Sequence, residues 1–297
     1  LMVTTPAGSG VMPAYVSRDW TRPLPGVTRA VIVIHGYLRN ADRYYSIARR
    51  ALRAAGPAGD GTLLIAPQFL TTLDVTAHRL PADTLRWSLT GWEGGDSAVA
   101  PAPISSFAAL DAVLARLSDR TRFPDLRSVV IAGHSGGAQA VQRYAILGRG
   151  AAALPAGVAL RYVVANPSSY AWFSRDRPDG KGGFAPFEST SCPRFDHWKY
   201  GMIGLPPYAG GADPAALEHG YLTRDVVYLL GAADTDPRQA ALDRSCMAEA
   251  QGSSRLARGL AYVDYLRLRN ATAFRQRAFL IPGVGHDAKG MLTSACS

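Results

Sequence analysis

Apolar residues in this chain gather into short runs separated by stretches with helical spacing. Runs at 29–34, 62–66, 128–132, 160–165, 226–230 and 277–281 are rich in Val, Ile, Leu and Ala. Continuous apolar runs of this length, bounded by turn residues, fit strands buried on both faces. Residues 41–55 predict a helix, with Asp42 and other polar residues near its start and Gly56-Pro57 ending it. Near 104–118, Ile104, Phe107, Ala108, Leu110, Val113, Leu114 and Leu117 fall on one face at a 3.6-residue period. Residues 1–20 read as irregular or as antiparallel edge strands. Strands alternating with helices predict an α/β fold, a mostly parallel sheet covered by helices on both faces. One domain spanning 1–297 is expected, because α/β folds of this length commonly form a single core. Two segments, 68–103 and 166–224, interrupt the alternation and are expected to shape a substrate site. Ligands of such sheets bind beyond the carboxyl ends of the strands.

The most informative stretch is Val129-Val-Ile-Ala-Gly-His-Ser-Gly-Gly-Ala-Gln-Ala-Val141. An apolar run enters G-x-S-x-G at Gly133-His134-Ser135-Gly136-Gly137 and leaves into a helix-compatible segment. That is the strand–turn–helix context in which a serine sits on a sharp turn with its hydroxyl exposed. Gly133 and Gly137 supply the small side chains such an elbow needs. A serine hydroxyl is a poor nucleophile at neutral pH, so a histidine must take its proton. His286 fits, in Phe279-Leu-Ile-Pro-Gly-Val-Gly-His-Asp287, a short strand entering a Gly-rich turn. The acid is expected between them, and Val226-Val-Tyr-Leu-Leu-Gly-Ala-Ala-Asp-Thr-Asp-Pro237 offers Asp234 and Asp236 after a strand. Of the other histidines, His134 is expected to fill space beneath the elbow. His78, His197 and His219 lie in polar or loop-like sequence and are expected at the surface.

With its strand-end His-Gly at 35–36, elbow at 133–137, acid turn at 231–237 and histidine turn at 283–287, the chain resembles the α/β-hydrolase superfamily over residues 29–292. Its G-A-A-D-T-D and G-V-G-H-D turns and overall layout resemble secreted bacterial esterases of the polyhydroxyalkanoate-depolymerase-like and feruloyl-esterase-like groups. The resemblance implies a serine esterase acting through an acyl-enzyme, on substrates that include polyester or plant-wall-type esters. It implies the catalytic order Ser135, Asp234, His286, with Asp234 preferred because it stands three residues after Gly231. It also makes the Tyr37 and Gly136 N–H groups the oxyanion hole, with His35 organising its loop by hydrogen bonds. Segment 166–224 becomes a lid-like insertion before the acid strand. A peptidase or amidase using the same triad and a catalytically inactive binding scaffold are the alternatives.

Aromatic residues in the two insertions, Trp87, Trp92, Tyr170 and Trp198, are expected to line an apolar cleft over Ser135, or else to pack the loops onto the body. The net charge of +9 raises the question of nucleic acid. The charge is scattered arginine, with Lys181, Lys199 and Lys289 the only lysines, and no basic run or aromatic RNA-binding motif accompanies it. A nucleic-acid partner is therefore not expected, and the partner is an ester substrate. No apolar run approaches the ~20 residues of a membrane span. The acyl-transfer chemistry calls for no cofactor, and Cys192, Cys246 and Cys296 lack the C-x-x-C spacing of a zinc site, so no metal is expected. A Cys246–Cys296 disulfide is the expectation instead, tying the helix after the acid strand to the C-terminal tail; the pairing among the three is left open, with three free thiols as the alternative. Such a bridge favours an oxidising compartment. With a leader taken to be removed ahead of Leu1, secretion or periplasmic export is expected, and the cytoplasm stays the alternative. The pattern leaves oligomeric state open.

Overall fold

The computed structural model describes residues 1–188, 190–269 and 274–294. The chain opens with a hairpin of β1 (Met2–Thr5) and β2 (Gly8–Val11), then the short β3 (Ala14–Val16). The alternating part follows as β4 (Arg29–Ile34), α1 (Ala41–Ala54), β5 (Thr62–Pro67), α2 (Thr72–Ala77), α3 (Ser106–Leu117), β6 (Ser128–His134), α4 (Gly136–Leu147) and β7 (Ala159–Ala165). The second insertion holds a small hairpin of β8 (Asp176–Pro178) and β9 (Phe184–Pro186) and then α5 (Pro214–Leu222). The chain finishes with β10 (Asp225–Gly231), α6 (Cys246–Glu249), α7 (Arg255–Arg269), β11 (Arg277–Ile281) and α8 (Ala288–Leu292).

Seven strands form the central sheet in the order β11-β10-β7-β6-β4-β5-β3. Only β3 runs antiparallel, against β5 at one edge. The fold is therefore the mostly parallel α/β arrangement that the spacing predicts. Side chains alternate across the sheet, so Ala30, Ile32 and Ile34 of β4 join the core that holds α3, α4 and α7. Val33 faces the other way, toward Tyr44, Ile47 and Ala48 of α1 and Ala288 and Leu292 of α8. Tyr44, Ile47 and Ala48 are spaced as one helical face, which is why α1 lies flat on the sheet. In α3 the Ser105 hydroxyl caps the N-terminus by accepting the Phe107 N–H at 3.1 Å. Every residue of α4 is buried, because this helix sits between the sheet and both insertions.

Strand register fixes the working edge. Ile34 lies beside Gly133, Gly133 beside Val164, Ala165 beside Leu229, and Gly231 beside Ile281. Four loops, after β4, β6, β10 and β11, thus emerge together at the carboxyl ends.

The insertions pack into the body. Trp87, Trp92 and Tyr170 are 1%, 0% and 0% exposed, inside the main core. Trp92 stacks on Phe69 at 5.4 Å and tilts against His35 at 4.8 Å, while Tyr170 stacks on Tyr262 at 4.4 Å. This corrects the expectation that these three line a substrate cleft: burying large rings against the sheet outweighs leaving them at a wet opening. Trp198 is half-buried, and its ring N–H donates to the Gly94 carbonyl at 2.7 Å. It links the two insertions.

Cys246 is bonded to Cys192, which corrects the expected Cys246–Cys296 pair. The second insertion runs alongside the acid loop, where the Tyr200 hydroxyl donates to Asp243 at 2.7 Å, and this brings the two sulfurs together. Cys296 lies outside the described residues. No helix among the described residues is long and apolar enough to cross a membrane.

Candidate active site

Ser135 sits between β6 and α4 with φ 59° and ψ −124°, a backbone conformation that a side chain rarely adopts. The turn is held by its neighbours. A Cβ on Gly133 would stand 2.3 Å from the Gly137 carbonyl oxygen, and one on Gly137 would stand 2.3 Å from that of Ile34. Only glycine fits at either position. The Ser135 N–H donates to the Ala165 carbonyl at 3.0 Å, fixing the elbow to β7.

The histidine and acid turns are laced to each other by backbone bonds. The Ala233 N–H donates to Val284 at 2.9 Å, and the Ala232 N–H donates to Ile281 at 3.0 Å. Asn166, another positive-φ residue, spans both turns. Its amide donates to the Gly285 carbonyl at 3.1 Å, and its side-chain oxygen accepts the Gly231 N–H at 2.7 Å.

In this frame His286 Nε2 lies 3.0 Å from Ser135 Oγ, and Nδ1 lies 3.0 Å from Asp234 Oδ2. The structure thus brings Ser135, His286 and Asp234 together. Asp236 lies at the surface, where it accepts the Arg238 N–H at 2.9 Å. Asp234 is 4% exposed, and its other oxygen is 3.4 Å from the buried Arg255 guanidinium. Burial lowers the Arg255 pKa and Asp234 opposes that shift. Arg255 also donates to Ser168 and Gln239, each at 3.0 Å. The sequence reading did not include it.

His134 lies beneath the elbow, its ring 4.6 Å from that of His286 and its Nδ1 hydrogen-bonded to the Tyr44 hydroxyl at 3.1 Å. Burial, and then the neighbouring His286 and Arg255, hold its pKa well below the usual histidine value. His35 is fully buried. Its Nε2 accepts the Phe69 N–H at 3.0 Å, so Nδ1 carries the proton and donates to the Gly36 carbonyl at 2.9 Å. Burial lowers its pKa to about 4, so the ring stays neutral. This ring shapes the loop that presents Tyr37. The Tyr37 nitrogen lies 3.1 Å from where a Cβ on Gly136 would stand. Gly136 opens α4, so its N–H has no acceptor within the helix. Two backbone donors therefore flank the space in front of Ser135.

A cavity of about 380 Å³ opens from Ser135. Tyr37, Thr90, Glu93, Gln139, Ser168, Lys199, Tyr200 and the 240–243 segment wall it, and it is largely polar. The tryptophans singled out in the sequence do not line it. Glu93 does, beside Trp92, and sequence reasoning passed over it. A lone glutamate within the Gly-rich Gly91–Gly95 turn was the available signal.

No family model matches this chain, and no curated protein matches its sequence. Solved structures do. Poly(aspartic acid) hydrolase-1 from Sphingomonas sp. KT-1 is 24% identical, with a TM-score of 0.62 over 95% of this chain and 96% of that one. The poly(3-hydroxybutyrate) depolymerase LpqC from Bordetella parapertussis is 21% identical, with a TM-score of 0.64 over 97% of this chain and 84% of that one. The siderophore hydrolase EstA from Aspergillus nidulans is 11% identical, with a TM-score of 0.50 over 99% and 90%. With the seven-stranded sheet and its order, these likenesses establish that the chain has the α/β-hydrolase fold.

Proposed function

We propose that this protein is a serine esterase that cleaves carboxylic esters through an acyl-enzyme. One observation carries the reading: the His286 ring is hydrogen-bonded to the Ser135 hydroxyl on one side and to Asp234 on the other. Ser135 Oγ attacks the ester carbonyl as His286 Nε2 takes its proton. Asp234 accepts from Nδ1–H, which fixes the tautomer and stabilises the imidazolium that forms. The Tyr37 and Gly136 N–H groups receive the oxyanion of the tetrahedral intermediate, and removing one such donor typically costs about 3–4 kcal/mol of activation free energy. The C–O bond to the leaving alcohol then breaks as Nε2 returns the proton. Water attacks the acyl-enzyme by the same route in reverse. The Cys192–Cys246 bridge supports an oxidising compartment outside the cytoplasm as the place of action.

A fluorophosphonate probe tests the reading, with label expected on Ser135 and none on S135A or H286A. Wild type is expected to hydrolyse p-nitrophenyl esters faster than matching anilides. Faster anilide turnover would identify an amidase, and absence of both labelling and turnover would identify an inactive scaffold. A series of acyl chain lengths beside insoluble polyester films separates small esters from polymers.

A further inference from the structure

Glu93 has a carboxyl group at the catalytic cavity and, among the described residues, receives no hydrogen bond from the protein. Its side chain is 5% exposed, and its nearest cation, Arg143 Nη1, is 3.9 Å from Oε2. The Arg143 donors go elsewhere: to the carbonyls of Lys199 and Glu93, to Gln139 Oε1 and to Ser169 Oγ. Lys199 Nζ donates to the Thr90 carbonyl at 3.1 Å. The turn around Glu93 is pinned. Trp92 is anchored in the core, the Ser106 hydroxyl donates to the Trp92 carbonyl at 2.8 Å, and the Ser105 hydroxyl donates to Gly95 at 2.7 Å. Glu93 Oε1 lies 2.6 Å from where a Cβ on Gly136 would stand, at the bare α-carbon beside the oxyanion donors. A buried carboxyl without a donor is costly, so this group is built to meet one.

Stereochemistry says which part of the substrate supplies the donor, taking the esterase reading above as given. The tetrahedral carbon carries Ser135 Oγ, the oxyanion, the leaving oxygen and the acyl chain. The oxyanion faces the Tyr37 and Gly136 N–H groups, and the leaving oxygen must reach His286 Nε2 to be protonated. Neither His286 nor Asp234 lines the cavity, so the acyl chain is what enters it.

We propose that Glu93 is a specificity-determining residue that accepts a hydrogen bond from a hydroxyl or amide N–H on the acyl part of the ester, selecting polar acyl groups over alkyl ones. The Gly136 α-carbon keeps the approach open. A carboxylate left unpaired here opposes the nearby oxyanion, whereas a substrate donor draws its charge away. Discrimination therefore falls in kcat as well as in KM. Hydrogen bonds to charged groups support a preference of about 10- to 100-fold.

The test compares kcat/KM of the full chain at pH 8 for p-nitrophenyl butyrate, its 3-hydroxy analogue and the N-acetylglycine ester. Wild type is expected to favour at least one donor-bearing ester over butyrate by about 10- to 100-fold, and the favoured ester names the donor. In E93L that ratio collapses toward one. In E93Q, whose amide oxygen still accepts, an intermediate ratio remains, which a merely structural partner of Arg143 would not produce. Flat ratios in wild type, or a ratio unchanged in E93L, overturn the proposal; should E93L not fold, an unchanged ratio in E93Q does so. Fluorophosphonate labelling separates the failures. Labelled wild type with flat ratios sinks Glu93 alone, and unlabelled, inactive wild type sinks the esterase reading.

Discussion

Two buried carboxyl groups flank Ser135, and their surroundings are opposite. Asp234 hydrogen-bonds the His286 ring and lies 3.4 Å from Arg255, a residue itself held by Ser168 and Gln239. Glu93, across the elbow, has only a long ion pair to a guanidinium whose donors are engaged elsewhere. Burial pushes its pKa up to about 7, against the pull of Arg143 and Lys199 and with Asp243 adding to the rise. The same functional group is thus engaged by a histidine and an arginine on one side and left as an open acceptor on the other. One carboxyl is held by the His286 ring and Arg255, and the other, in the reading proposed above, waits for a donor on the substrate.

Replacing Asp234 is expected to have the largest effect. D234N should lower kcat by about 10⁴-fold through the wrong histidine tautomer, while D236N stays within a few-fold of wild type. Ester kinetics on the two variants check this, and a greater loss in D236N would move the acid to that residue. Next in size, R255M leaves Asp234 without its buried counter-charge. It should destabilise the fold by about 3 kcal/mol, measured as a shift in urea midpoint. An unchanged midpoint would mean that His286 alone holds the aspartate.

The smallest expected effect probes Glu93 through pH. Its folded pKa of about 7 stands above the ordinary 4.5, so between those values the folded state binds more protons than the unfolded chain. Stability from this residue therefore falls as pH rises through that window. His35 and His134, with lowered pKa values, work the other way, and their stability is lost as pH drops below the ordinary histidine value of 6.5. The difference between wild type and E93Q cancels both. Relative to wild type, E93Q should gain on the order of 2–3 kcal/mol between pH 5 and 8, read from denaturation at stepped pH. Parallel stability curves would remove the contrast between the two carboxyls.

Much of this site is legible in the sequence because its parts are local. Apolar runs make the strands, Gly133 and Gly137 make the elbow, and Asp234 and His286 stand just past strand ends. The rest depends on packing that no window of residues encodes. Trp92 and Glu93 are adjacent, yet the ring enters the core and the carboxyl reaches the cavity. Only the docking of the first insertion on Phe69 and His35 decides which goes where. The second half of the chain hid α7 for a related reason. Its inward face carries Arg255, Arg258 and Gly259, which interrupts the apolar period a helix reading depends on. The bridge partner of Cys246 was beyond reach, since Cys192 is 54 residues away on an insertion whose path has no repeating pattern.

That bridge joins the stretch of chain bearing Lys199 and Tyr200 to the one bearing Ala240 through Asp243, neighbouring walls of one chamber that the Tyr200–Asp243 hydrogen bond also ties together. Whether the chamber is covalently braced is decided by the electron supply where the chain folds. Under the esterase reading proposed above, two batches of identical sequence that differ in this bridge are expected to differ in KM, so a count of free thiols belongs beside every rate measured.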